Sequence, residues 1–204
     1  MRAALTALLL TFASQAALAE KIFVDGNILV YNTESAENET GISLNDVAAF
    51  NEILKLNKNI TGVHLTSSGG EVDAAYQIAD IILKQELDTH AVDYCESACS
   101  IILLAGVDRT ASNLAKIGFH QTSITPEGAQ SEYNELKDEM DFGSPFDYAS
   151  WLLEDTQDLI LNDMYYYADI GLSLEFVIKT LEAYSDEMWY PSHAYMVSEG
   201  VLTK

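Results

Sequence analysis

The chain has 204 residues and carries 32 acidic against 10 basic side chains, which gives a formal net charge of −22 at pH 7. Such a surface repels phosphate backbones and anionic lipid head groups, so it disfavours binding to nucleic acid or to a membrane surface. Because 49% of the residues are hydrophobic and 10% are aromatic, the chain is globular and not an acidic disordered segment.

The first nineteen residues have the pattern of a secretory signal peptide. Arg2 is a short basic start, residues 3–12 are apolar, and Ala17-Leu18-Ala19 places small residues where a signal peptidase cleaves. The apolar stretch is too short for a stable membrane span, although an uncleaved anchor is the alternative. We expect a mature chain that starts at Glu20, forms one domain over residues 20–204, and is periplasmic or secreted.

The first half of the chain alternates predicted strands and helices. Residues 21–31 alternate around Gly26 and indicate a strand or hairpin, and residues 32–41 are polar and indicate a surface loop. Ser43 is a plausible N-cap for the first helix. Such alternation predicts parallel strands joined by right-handed crossovers. Strands are predicted at 62–66, 89–94 and 117–120, and helices at 44–56, 72–83 and 97–105.

The second half of the chain is predicted to be helical. Apolar spacing and proline positions indicate helices at residues 128–140, 145–170, 174–183 and 191–200. No segment after the signal peptide is apolar enough to cross a bilayer, so we expect no stable membrane insertion after signal cleavage.

Two cysteines, Cys95 and Cys99, are present. In an oxidising compartment an even pair suggests a disulfide. If the segment is helical, Cα atoms four residues apart lie about 6 Å apart, within the range of a disulfide. Two buried thiols are the alternative. Two cysteines without a histidine at ligand spacing are too few for a zinc site, so we predict neither a metal nor a cofactor.

Three segments with chemically useful residues each follow a predicted strand, where the active sites of parallel α/β folds collect. Ser67-Ser68-Gly69-Gly70 can present backbone N–H groups to an oxyanion, or it is a tight turn only. Ser97 begins a helix, where its hydroxyl can act as a nucleophile or merely cap the helix. His120 ends a strand and can act as a general base or pack in the core.

In their order and spacing these segments resemble the proteolytic subunit of Clp protease and its membrane-associated and periplasmic relatives. In that family a strand ends in a Ser-Pro-Gly-Gly-type turn, an Ala-Ser-Met segment leads into an apolar helix, and a later strand ends at a His-Gln pair. The resemblance covers residues 63–121 and, with fewer matches, 190–202. The matching stretches are LTSSGGEVDAAYQIADIIL, CESACSIILLAG and AKIGFHQT.

The resemblance implies a ClpP/crotonase-like α/β fold, which is a repeated β-β-α superhelix with a helical C-terminal arm at about residues 127–185. It implies Ser97 as the nucleophile, His120 as the general base, and the backbone N–H groups of Gly70 and Ala98 as the oxyanion hole.

Spacing within the resemblance separates the two serines of the CESACS segment. Ser97 stands nine residues before Gly106, as the family nucleophile stands before its glycine, whereas Ser100 does not match this spacing and would point into the buried helix.

The third member of the triad is less clear from the sequence. The family takes an aspartate shortly before its last helix, and counting back from Gly200 lands on Met188, next to Glu187 and Asp186. We prefer Asp186, with Glu187 as the alternative.

The chain also departs from the family pattern beside the nucleophile. Glu96 stands where a small residue is usual, and it either raises the local proton affinity or crowds the pocket. The Cys95/Cys99 pair brackets Ser97, so a bridge would rigidify the turn.

The activity expected from these features is that of a secreted serine hydrolase, a peptidase with a Ser-His-Asp type triad. No GxxxxGK[ST] nucleotide-binding segment is present and the periplasm lacks ATP, so we expect cleavage that does not depend on ATP. The expected substrates are small, extended or unfolded polypeptides. A homo-oligomer is the assembly that the resemblance allows. A crotonase-type acyl-CoA enzyme is one alternative, disfavoured by the signal peptide and the acidic surface. A catalytically silent binding or assembly protein is the other.

Overall fold

The structure, a computed structural model, describes residues 20–35 and 40–204. The predicted signal peptide and part of the polar loop at 32–41 lie outside the described residues. Over the described ranges no helix combines the length and the apolar character needed to cross a membrane.

One mostly parallel sheet organises the described chain. Its strands are β1 (Ile22–Asp25), β2 (Ile28–Asn32), β3 (Gly62–Ser67), β4 (Asp88–Glu96), β5 (Arg109–Ala111) and β6 (Lys116–Gly118). The first two form the predicted antiparallel hairpin, and all later pairings are parallel. The order is β1-β2-β3-β4-β5, and β6 pairs with the carboxyl-terminal part of β4. The predicted α/β architecture is confirmed.

The described chain also contains seven helices, and their bounds follow local signals. The helices are α1 (Leu44–Leu56), α2 (Val72–Gln85), α3 (Ala98–Leu104), α4 (Pro126–Leu136), α5 (Pro145–Ile170), α6 (Leu174–Glu182) and α7 (His193–Ser198). The bounds of α1 and α5 are those predicted. Helix α4 begins two residues earlier than predicted, because the Thr125 hydroxyl accepts a hydrogen bond from the Gly128 N–H and caps it.

The core lies where α1, α2 and α3 pack against the sheet. All seven residues of α3 are buried, as its continuous apolar sequence predicts, and α3 lies against α2, β3 and β4. Because β4 runs directly into α3, the end of that strand and the start of that helix are fixed by the best-packed part of the molecule.

The C-terminal segment is held against β5 and against the chain that follows β6. Backbone hydrogen bonds of 3.0 and 2.9 Å join Phe119 and Trp189 in both directions. The Arg109 guanidinium donates to the carbonyl oxygens of Gly106, Gly200 and Val201. The chain on either side of α7 is therefore anchored beside His120 and beside β5.

A buried ion pair joins the hairpin to α1. The Lys21 ammonium lies 2.8 Å from Asp46 Oδ2, and the two side chains are only 9% and 6% exposed. The same carboxylate accepts hydrogen bonds from the Tyr31 hydroxyl at 2.6 Å and from the Ser43 N–H at 2.8 Å. Such a network is costly to break because it leaves a charge without its partner in the interior.

Replacing Asp46 with asparagine is expected to lower the free energy of unfolding by about 2–3 kcal/mol, because the charge-assisted hydrogen bonds become neutral while Lys21 stays buried. Denaturant unfolding measures this loss. The matched control is Asp80→Asn, since the Asp80–Lys84 pair is 64% and 74% exposed and should contribute less than about 1 kcal/mol. Equal losses in the two variants would contradict the role assigned to the buried pair.

Candidate active site

Ser97 occupies a strained turn between β4 and α3. Its φ of 55° and ψ of −129° lie in a region that non-glycine residues rarely adopt, at a cost of about 1–3 kcal/mol. The turn is held by the Ser97 N–H, which donates to Gly118 at 2.9 Å, and by the Ser100 hydroxyl, which donates to the Ser97 carbonyl at 2.7 Å. Strained serines at a strand-to-helix turn are typical of hydrolase nucleophiles.

A disulfide between Cys95 and Cys99 spans this turn. Both residues are fully buried, and their Cα atoms lie 5.1 Å apart. The segment is not one helix, because Cys95 belongs to β4 and Cys99 to α3, and Ser97 forms the turn between them. The predicted bridge is confirmed, and the alternative of two free thiols is wrong.

Reducing the disulfide is expected to destabilise the fold by about 2 kcal/mol, the chain-entropy value for so short a loop. It should also lower activity, because the strained Ser97 turn loses one of its restraints. Denaturant unfolding and substrate hydrolysis, with and without reductant, measure both effects, and the Cys95→Ala/Cys99→Ala variant should match the reduced protein. An unchanged unfolding midpoint and rate would contradict this prediction.

The glycine turn that follows β3 lies directly against Ser97. Gly69 has a φ of +108°, and a Cβ atom there would lie 2.7 Å from Ser97 Cβ and 3.2 Å from Ser97 Oγ. Gly70 has a φ of +148°, and a Cβ atom there would lie 2.3 Å from the backbone N and O of Ile42. Only glycine fits at either position.

Two backbone N–H groups remain available beside the hydroxyl. The turn is held by hydrogen bonds from Ile42 N–H to Gly69 and from Glu71 N–H to Ile42, at 2.7 and 2.9 Å, and the Gly70 N–H donates to none of the described groups. The Ala98 N–H is the first of α3, where helical geometry provides no acceptor. Both fit the predicted role of oxyanion donors.

A cavity of about 80 Å³, here called the Ser97 cavity, brings four of the predicted site residues together. Gly70, Ser97, Ala98 and His120 all line it. Among the described residues no hydrogen bond joins Ser97 to His120 in this conformation. Catalytic hydrogen bonds are often long without substrate and tighten in the substrate complex, so the shared cavity is the relevant observation.

Neither candidate for the third triad member lies in this cavity. Within the described chain the Nδ1 atom of His120 is buried and has no hydrogen-bond partner. Asp186 and Glu187 are exposed, and Glu187 lines a separate cavity with Trp189. Counting back from Gly200 reaches Met188, whose side chain packs against Gly118. A Cβ atom added at Gly118 would lie 2.6 Å from Met188 Cγ.

Glu96 does not line the Ser97 cavity, although it directly precedes the nucleophile. Its carboxylate accepts a hydrogen bond of 2.7 Å from the Tyr190 hydroxyl, which raises the pKa of Tyr190 to about 12. The expectation that Glu96 crowds the pocket is wrong, because its carboxylate is bonded to Tyr190 and does not line the cavity.

Asp163 is a lining residue that sequence reasoning missed. It lies on α5, lines the Ser97 cavity, and accepts a hydrogen bond from the Tyr76 hydroxyl of α2. Burial raises the pKa of the Asp163 carboxyl above its ordinary value, and the Tyr76 hydrogen bond partly offsets this. In the sequence it is one acid among 32, and the only local signal is its position beside the Tyr165-Tyr166-Tyr167 run.

No metal centre is apparent in the described parts of the chain. Over residues 20–35 and 40–204 no three His, Cys, Asp or Glu side chains lie close enough to hold a metal ion. The groups that line the Ser97 cavity include the Ser97 hydroxyl, the His120 imidazole and the Asp163 carboxylate.

Comparisons with known proteins agree with this geometry. The sequence profile of the Clp protease family matches residues 19–141, which is more than half of the chain and includes Ser97 and His120. A ClpP1 mutant from Listeria monocytogenes superposes with a TM-score of 0.57 at 16% identity, over 87% of this chain and 89% of that one. At that identity the similarity concerns the fold. Comparison with curated protein sequences gave no match. The chain belongs to the Clp protease family.

Proposed function

We propose that this protein is a periplasmic or secreted serine hydrolase that cleaves peptide bonds at Ser97 without ATP. The single observation that supports this most strongly is the strained Ser97 turn, which shares one cavity with His120 and with the N–H groups of Gly70 and Ala98. Strain of this kind persists only where the surrounding structure holds it, and it is concentrated at functional sites.

In the proposed mechanism the substrate carbonyl enters the Ser97 cavity and His120 accepts the proton as Ser97 Oγ attacks the carbonyl carbon. The negative charge that develops on the carbonyl oxygen is stabilised by the Gly70 and Ala98 N–H groups. His120 then gives the proton to the leaving amine, and a water molecule hydrolyses the acyl-enzyme by the same route in reverse.

Asp186, or alternatively Glu187, is proposed to orient the His120 ring once substrate is bound. Both precede Trp189, which is paired with Phe119, so a rearrangement of the short loop before Trp189 brings a carboxylate toward the buried Nδ1 atom. Separate Asp186→Asn and Glu187→Gln variants distinguish them. The orienting acid should lower kcat with little change in KM, and an unchanged kcat in both variants would leave a Ser-His pair as the whole machinery.

Secretion and ATP independence rest on the sequence. The signal-peptide pattern directs the chain out of the cytoplasm, and the absence of a GxxxxGK[ST] segment from the sequence removes the usual nucleotide site. Proteins of the Clp protease family form oligomers and act on peptides. We therefore propose unfolded or short polypeptides as substrates. We also propose a homo-oligomer that uses the exposed apolar residues of α5, which molar-mass measurement in solution would test.

A catalytically silent binding or assembly protein is the second candidate. The observation that favours it is the unpartnered Nδ1 atom of His120, since no carboxylate of the described chain orients the ring. A silent protein would keep the cavity as a binding site and would lack turnover.

Hydrolysis of a fluorescently labelled unfolded protein separates the two candidates. We expect peptide release in nucleotide-free buffer, at a rate that ATP and Mg²⁺ do not change, and loss of that release in His120→Ala. The control is Ser131→Ala on the exposed face of α4, which should behave as the unaltered protein. A folded protein that releases no peptide would favour the silent alternative. An equally active His120→Ala variant would contradict the role of His120 as the general base.

A further inference from the structure

Resting on the proposed hydrolytic function, we propose that the site selects cationic polypeptides. Asp163 receives a lysine side chain of the substrate inside the Ser97 cavity, and an acidic groove that opens from this cavity binds neighbouring basic residues.

Asp163 is placed to contact substrate. It lines the same cavity as Ser97 and His120, and its Oδ1 atom accepts the hydrogen bond from Tyr76. Its Oδ2 atom has no hydrogen-bond partner among the described residues. The tyrosine hydroxyl pairs only one of the two carboxylate oxygens, which leaves the other available to a substrate donor. A substrate cation would supply the missing partner through a charge-assisted hydrogen bond.

The geometry of the charged group narrows the choice of side chain. Lysine ends in a compact ammonium that acts as a point charge, and arginine ends in a planar guanidinium that suits both oxygens of a carboxylate at once. Because the Tyr76 hydroxyl already donates to Asp163 Oδ1, a two-oxygen contact is not available, so lysine is the better match.

The acidic groove extends this preference along the substrate. It has a volume of about 580 Å³ and shares Gly70, Val72, Thr122 and Ser123 with the Ser97 cavity, so the two are continuous. No lysine or arginine of the described ranges lines it. Its charged lining residues are Glu71, Asp73, Glu132 and Asp155.

Long-range charge acts in the same direction. The chain carries a formal net charge of −22, so basic substrates are attracted and acidic ones repelled before contact is made. At physiological ionic strength, salt screens the attraction between exposed charges that are more than about 8–10 Å apart. The preference for basic substrates should therefore weaken as salt is added.

The test uses quenched fluorescent peptides that share one sequence and differ at a single position, occupied by Lys, Arg, Leu, Phe or Glu, with the cleaved bond located by mass spectrometry. The unaltered protein should cleave after Lys with a kcat/KM at least about tenfold above that for Leu or Glu, in line with one charge-assisted contact. Asp163→Asn, which keeps an acceptor for Tyr76, should remove this preference, so that kcat/KM for the Lys peptide is no higher than that for the Leu peptide.

Control variants keep the outcomes distinct. Asp169→Asn lies on the exposed surface of the same helix and should change nothing. Asp73→Asn/Asp155→Asn alters only exposed groove residues and should lower kcat/KM for peptides with flanking lysines.

Each contrary result has a separate meaning. Efficient cleavage with no preference for Lys would overturn the inference while the proposed function stands. An equal loss for all peptides in Asp163→Asn would assign Asp163 to catalysis or folding and would also overturn it. No cleavage of any peptide, together with no labelling of Ser97 by a fluorophosphonate, would overturn the proposed function and the inference with it.

Discussion

Replacing Ser97 with alanine is expected to lower kcat/KM for peptide hydrolysis by at least about 10⁴-fold, the scale on which serine hydrolases lose activity without their nucleophile. The Ser97 side chain makes no hydrogen bond to any described residue, and alanine at a φ of 55° is no more strained than serine. The free energy of unfolding should therefore stay nearly unchanged, so the lost rate measures chemistry and not folding. Steady-state kinetics and denaturant unfolding give the two values.

The matched control for this variant is Ser100→Ala. Ser100 lines the same cavity, but it is only 3% exposed and its hydroxyl donates to the Ser97 carbonyl. Its loss removes one support of the strained turn and should lower activity by about tenfold, the equivalent of one ordinary hydrogen bond. A Ser100→Ala variant as inactive as Ser97→Ala would show that the nucleophile has been assigned to the wrong serine or that the turn collapses without Ser100.

Replacing Gly70 with alanine is expected to reduce kcat by about 10²–10³-fold, because displacing the turn moves one oxyanion donor away from the reacting carbonyl. The added Cβ atom would lie 2.3 Å from the Ile42 backbone, so the hydrogen bonds that join Ile42 to Gly69 and Glu71 cannot both survive. Such overpacking should also cost about 1–3 kcal/mol of stability. Kinetics and thermal unfolding of the same preparation separate the two effects.

Gly171 offers the matched control for Gly70. It has a φ of +92°, but a Cβ atom there meets nothing within 4 Å, and it ends α5 outside the Ser97 cavity. Gly171→Ala should therefore cost about 1 kcal/mol of stability and leave kcat unchanged. If Gly70→Ala keeps full activity, the Gly70 N–H is not an oxyanion donor.

Much of the fold followed from the apolar periodicity of the sequence and from its capping, proline and glycine residues. Helix α1 begins after Ser43 as predicted, and α5 has the predicted bounds because Pro145 opens it and Gly171 closes it in a left-handed conformation. Strand β5 was missed. It has three half-buried residues with arginine and threonine among them, and so lacks the apolar alternation that indicates a strand.

The candidate site was predictable to the extent that sheet geometry brings strand ends together. Gly70, Ser97 and His120 each follow a parallel strand, and the carboxyl ends of such strands meet at one edge. Asp163 was not predictable in this way, because it reaches the cavity only through the packing of α5 against α2. Asp186 and Glu187 were proposed from spacing alone, and spacing does not determine how a loop directs its side chains.

The measurement that tests the central claim most directly is fluorophosphonate labelling of the folded protein, followed by peptide mapping. The account predicts one adduct, on the peptide that contains Ser97, and its loss in both Ser97→Ala and His120→Ala. A folded protein that takes up no label, or takes it up at another serine, would contradict the proposal that Ser97 is an activated nucleophile.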